Sequence, residues 1–115
     1  MTAEELSKII VKGMEEKKAS DIVVMDLRNI KNSVSDFFVI CSGTSDTQME
    51  SISDSIEEQV IKAGQSLPFK KEGKNGKQWI LMDYFDVVAH IFLKDKRQFY
   101  GLEELWGDAK MERVN

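Results

Sequence analysis

Two sets of residues in this chain have types and spacing that bear on chemistry. Ser42-Gly43-Thr44-Ser45 follows an apolar stretch and leads into a helical pattern. Backbone amides at such a strand-to-helix turn can cradle an anion. The turn has neither the lysine nor the spacing of a P-loop. Phosphoryl transfer there would also need paired carboxylates to hold Mg²⁺. The nearest, Asp83 and Asp86, are three apart, which on a continuous strand puts them on opposite faces, although a turn between them weakens that objection. The bland alternative is a helix cap and two turn residues. Cys41 and His90 would be a nucleophile and its base if they met. Nothing in their spacing joins them, and no third group is evident to orient the imidazole. Cys41 ends an apolar strand, where a free cysteine acts as a small hydrophobe. His90 shares a strand face with Val88 and Phe92, as a half-buried, hydrogen-bonded imidazole would. One histidine with one cysteine is a poor start for a metal site, so neither metal nor cofactor is expected.

A third set is aromatic. Trp79, Tyr84, Phe85, Phe99, Tyr100 and Trp106 all fall in the C-terminal third. Along an extended segment Trp79, Leu81 and Asp83 share one face, while Ile80 and Met82 take the other. If helices cover the Ile80/Met82 side, the Trp79/Leu81 side is left partly exposed. It then either closes the underside of the core or anchors a protein partner, where Trp, Tyr and Arg are enriched.

The elements that must position these residues are legible in outline. Thr2 and Glu5 form a capping box, and Leu6, Ile9, Ile10, Gly13 and Met14 follow at helical spacing to about Lys18. Ile22-Val23-Val24-Met25 and Phe37-Phe38-Val39-Ile40-Cys41 read as strands covered on both faces, joined by a polar connection over residues 29–35. Ser45 and Gln48 cap a second helix whose stripe is Met49, Ile52, Ile56, Val60 and Ala63, with Gly64 as its stop. Leu67-Pro68-Phe69 is a brief strand candidate, and residues 71–77 are a charged hairpin loop. Residues 78–83 and 87–93 are two more strands, and the three-residue link between them favours an antiparallel hairpin. Residues 97–106 form a short helix or irregular arm. The fold class is α/β, a mixed sheet of about five strands flanked by helices.

Composition bounds the rest. The chain has 115 residues and a net charge of −4, enough length for one domain spanning residues 1–115 and too little for two. No basic field drives binding to nucleic acid or anionic lipid. A single cysteine excludes an intramolecular disulfide, and no apolar run approaches a membrane span. The acidic start, with no signal-peptide pattern, points to a cytoplasmic protein.

Asp36-Phe37-Phe38-Val39-Ile40, Gly43-Thr44-Ser45-Asp46, Trp79-Ile80-Leu81-Met82-Asp83-Tyr84, Asp86-Val87-Val88-Ala89-His90-Ile91-Phe92 and Phe99-Tyr100-Gly101-Leu102-Glu103-Glu104-Leu105-Trp106 together resemble the ribosomal silencing factor (Iojap) family. The match runs in order from the first helix to Trp106. Phe85 departs from it where glycine is usual, and Phe37 where tyrosine or another residue is common. The resemblance implies a fold distantly similar to nucleotidyltransferases, without their metal-binding carboxylates. It implies binding to the large ribosomal subunit through large-subunit protein fourteen, which blocks joining of the small subunit and represses translation when nutrients are scarce. It also implies possible homodimers when free. On this reading the protein is not an enzyme. Trp79 and Leu81 supply the apolar centre of the partner site, with Asp83 and Tyr100 at its margin, and nucleic acid is not the primary contact. The rivals are a metal-dependent nucleotidyltransferase-like enzyme using Ser42–Ser45 and Asp83/Asp86, and a dimeric adaptor unrelated to ribosomes.

Overall fold

Two capping turns start the long helices. In the computed structural model, which describes residues 1–74, 76 and 78–115, Thr2 Oγ1 accepts from Glu5 N at 3.1 Å and opens α1 (Ala3–Glu16). Ser45 Oγ likewise accepts from Gln48 N at 3.1 Å and opens α2 (Asp46–Lys62). The return bond of this second box goes one residue further back, because Gln48 Oε1 accepts from Thr44 N at 2.7 Å. The Nε2 of the same side chain donates to the carbonyls of Lys17 and Lys18, tying the end of α1 to the start of α2. The first helix stops at Glu16, short of the expected Lys18, which has a left-handed φ of 60°. Gly64, at φ 86°, ends α2 with Gln65 N donating back to Val60 O, as a Schellman stop requires.

The remaining elements are β1 (Ser20–Asp26), β2 (Phe37–Gly43), β3 (Lys70–Lys74), β4 (Trp79–Asp83), β5 (Val87–Leu93), α3 (Arg97–Tyr100), α4 (Leu102–Leu105) and β6 (Lys110–Arg113). They build a six-stranded sheet in the order β3-β4-β5-β2-β1-β6. Among the described residues only β2 and β5 pair in parallel; the expected β4–β5 hairpin is antiparallel. Every residue of the central strand β2 is buried, which is why it reads as an unbroken apolar run.

Two strands depart from the sequence reading. Residues 67–69 are not a strand: Pro68 has no N–H to give a ladder, and Leu67 and Phe69 lie exposed. The strand is instead Lys70–Lys74, cut from the stretch read as a loop and held in register from Lys70↔Asp83 to Lys74↔Trp79. Asn75 and Lys77 of that expected loop lie outside the described residues. The sixth strand, Lys110–Arg113, adds antiparallel to β1, with all four residues exposed. Both outer strands are rich in lysine and arginine, which discourages edge-to-edge association.

The sheet separates two apolar layers. On one face α1 and α2 bring Ile10, Met14, Ile52 and Ile56 against Val39, Cys41, Ile80, Met82 and Ile91. On the other, the α3–α4 arm brings Leu102 and Trp106 over Phe38, Ile40, Val88 and Phe92, with Trp79, Leu81 and Tyr100 only partly buried at its border.

Candidate partner-binding face

Strand β4 alternates as expected: Ile80 and Met82 point into the helix-covered layer, while Trp79 and Leu81 turn to the arm side, half-buried. Trp79 stacks on Phe92 with ring centroids 5.0 Å apart and meets Tyr100 at 5.2 Å. Its indole Nε1 donates to His90 Nδ1 at 3.1 Å. Tyr100 donates its hydroxyl to Gln78 Oε1 at 3.0 Å, and Phe99 stands edge-on to it at 5.3 Å. Trp79, Leu81 and Tyr100 therefore come together. Asp83 lies at the other end of the strand, where its carboxylate accepts from Phe85 N at 2.8 Å and shapes the turn.

The arm that follows exposes further apolar side chains. Phe99 is 80% and Leu105 76% exposed, on the two short helices beside Tyr100. Both belong to the segment read as a short helix or arm, and Phe99 reaches the face through its edge-on contact with Tyr100. Arg97 holds this arm to the sheet. Its NH1 donates to Asp21 O at 2.6 Å and Ser42 Oγ at 2.9 Å, and its Nε donates to Glu103 at 2.8 Å. Gly101, at φ 61°, makes the corner between α3 and α4. A cleft of about 460 Å³ opens beside Arg97, lined by residues of both charges including Asp21, Lys94, Glu103 and Arg113.

The catalytic alternatives are not brought together. In the parallel β2–β5 register, Phe37 pairs with Val87 and Gly43 with Leu93. Asp86 thus sits at the beginning of β2, where its carbonyl accepts from Asp36 N and Phe37 N, while Ser42 lies at the far end, roughly 17–20 Å away at strand rise. Thr44 N and Gln48 N, amides of the turn, are already bonded to the chain's own side chains. Cys41 faces the helix layer and His90 the arm layer, so the sheet stands between them. Full burial pushes the Cys41 thiol up to about 12, so it stays protonated at neutral pH. Among the described residues no three His, Cys, Asp or Glu side chains cluster as metal ligands would. No helix among them is long and apolar enough to cross a membrane.

Fold and face define a small α/β domain with a mixed six-stranded sheet, two long helices on one side and an aromatic arm on the other. A crystal structure of a protein from Chromobacterium violaceum has the same architecture, with a TM-score of 0.86 and 29% identity, covering 100% of this chain and 94% of that one. The family model described as ribosomal silencing factor during starvation matches residues 1–115. Ribosomal silencing factor of Bacillus subtilis is 40% identical over 111 residues, 96% of this chain and 92% of that protein. The mouse protein named for mitochondrial assembly of the ribosomal large subunit is 29% identical over 85% of this chain and 43% of its own length. The chain belongs to the ribosomal silencing factor family, a family of regulatory proteins, as its motifs indicated.

Proposed function

We propose that the chain binds the large ribosomal subunit through large-subunit protein fourteen and blocks joining of the small subunit, so that translation falls when nutrients are scarce. It acts in the cytoplasm, without catalysis, and pairs with a second copy when free. The observation that carries this reading is the Trp79–Leu81–Tyr100 face, apolar, half-buried and extended by exposed Phe99 and Leu105. A large-subunit function stands in the name of the mouse relative, and an aromatic patch of this kind is what an interface anchor requires. The net charge of −4 disfavours ribosomal RNA phosphates and favours a basic protein beside them. Such a factor needs an anchored footprint and bulk.

The test is sedimentation with purified large subunits, with and without small subunits. Binding that prevents joining supports the reading, and no co-sedimentation ends it. Removing a central interface Trp typically costs about 2–4 kcal/mol, so Trp79→Ala should weaken binding by ~30-fold or more. Trp79 also packs on Phe92, so circular dichroism must accompany the measurement. Phe99→Ser at an exposed position gives a second variant on which the fold does not depend. A Mg²⁺-dependent nucleotide titration covers the enzymatic alternative, because saturable binding lost in Asp86→Asn would overturn the non-catalytic reading.

A further inference from the structure

We propose that His90 is a positioning residue for the partner face: its buried Nδ1 accepts the indole N–H of Trp79 and fixes the orientation in which that ring meets a partner. The proposal rests on Trp79 being part of that face. His90 is 3% exposed, in the middle of β5. Across the ladder Trp79 pairs with Phe92 and Leu81 with His90, which makes His90 the diagonal neighbour of Trp79, within reach of a ring. The imidazole is itself held: Phe38 meets it edge-on at 4.6 Å, and Phe92 lies nearly parallel to it at 6.3 Å.

An indole N–H only donates, so the atom 3.1 Å from it must be an acceptor. That fixes the imidazole as the neutral tautomer with its proton on Nε2. Stacking on Phe92 and contact with Tyr100 are face contacts, which bear on the plane of the indole more than on the direction of its N–H. The hydrogen bond to His90 fixes that direction. It explains why a histidine stands at the one interior position of β5 flanked by Val88 and Phe92, where an aliphatic residue would fill the space without accepting a bond. A ring already held in its bound orientation loses less freedom on docking, which is worth about three- to tenfold in affinity for one large side chain.

The experiment uses the full chain labelled with ¹⁵N. His90→Asn retains an acceptor where Nδ1 stands, and His90→Leu removes it. Trp79 and Trp106 give two indole signals, separated by a Trp106→Phe control. The expected result is an Nε2-protonated imidazole in the parent chain and a Trp79 indole N–H that exchanges faster in His90→Leu, with Trp106 unaffected. Affinity for purified large subunits should fall three- to tenfold in His90→Leu and recover in His90→Asn. A proton on Nδ1 in the parent chain overturns the proposal, and this observation stands even if both variants fail to fold. Unchanged affinity in a folded His90→Leu also overturns it, as does an Asn variant as impaired as the Leu variant. Trp79→Ala separates the two levels: if it weakens binding while His90→Leu does not, only the role of His90 falls, and if it binds fully, the partner face falls with it.

Discussion

Gly13 of α1 lies so close to Ile56 of α2 that a β-carbon on the glycine would stand 2.8 Å from Ile56 Cα and 3.0 Å from its N. Ser55 Oγ donates to Gly13 O at 2.8 Å in the same crossing. The helices meet backbone to backbone. Alanine normally stabilises a helix interior by about 1 kcal/mol over glycine. Here it would force the helices apart, and overpacking of this kind costs about 1–3 kcal/mol. Gly13→Ala should therefore lower the urea midpoint at unchanged slope. A higher midpoint would mean that the helices adjust freely and that the close approach is incidental.

Both long helices and the β4–β5 hairpin were legible because their signals are local: a cap and its Glu or Gln, a stripe, a three-residue link. The alternation of Ile80 and Met82 against Trp79 and Leu81 was legible for the same reason, and it set Trp79 and Leu81 on the side away from the long helices. The outer strands were not. Lys70–Lys74 and Lys110–Arg113 carry no apolar alternation, since an edge strand owes its place to a neighbour's backbone. The separation of Asp86 from Ser42 follows from the parallel β2–β5 register, a long-range fact with no local trace. Arg97 is the plainest case: its guanidinium joins residues 76 and 55 positions away, and nothing near it in the chain announces that.

Phe85 adopts φ 71° in the β4–β5 turn, held by Asp83 Oδ1 accepting from its N and Ser35 Oγ donating to its O. The resemblance puts glycine at this position, and a left-handed φ is a conformation that glycine adopts without a β-carbon's strain. A residue with a β-carbon pays about 1–2 kcal/mol for it. The ring is mostly exposed and packs against Phe69 with centroids 4.4 Å apart, and Phe85→Gly and Phe85→Ala both remove that stacking to the same extent. After about 0.4–1 kcal/mol for the freer unfolded glycine chain, the Gly variant should still be the more stable of the two, by up to about 1.5 kcal/mol. A Gly variant less stable than the Ala variant by about 0.4–1 kcal/mol in chemical denaturation, the unfolded-chain term alone, would show that no strain is stored there.

Arg97 should matter to the arm more than to the sheet. Its side chain is 11% exposed and satisfies three acceptors, with Glu103 the more solvent-accessible partner. Removing one member of a buried charge pair costs about 3–5 kcal/mol, and partial exposure of Glu103 brings the expected loss for Arg97→Ala to about 2–3 kcal/mol. Lysine should not restore it, since one ammonium cannot reproduce the guanidinium fork. Hydrogen exchange should rise in α3 and α4 while β2 and β5 stay protected. Uniform loss of protection would mean that the arm and the sheet unfold as one unit.

The salt dependence of ribosome binding decides what kind of contact holds the complex. Binding to an RNA backbone releases counterions, so affinity falls steeply, by ~10³ or more between about 50 and 200 mM salt for many phosphate contacts. Basic clusters of this chain include Lys70-Lys71 and residues 94–97. Lys70 is paired with Glu72, Lys71 with Glu57 and Arg97 with Glu103. Those three side chains have carboxylate partners within the fold, so an RNA clamp built on them is not expected. The proposed face is apolar at its centre, so charge acts mainly at the rim, where salt slows association more than it speeds release. Over the same range the equilibrium affinity should fall only about tenfold, a loss well below the phosphate-contact case. Binding to intact large subunits, measured with Mg²⁺ held constant to keep them intact, gives the slope. A thousandfold loss would mean that RNA contacts dominate, and anchoring through a ribosomal protein would have to be abandoned.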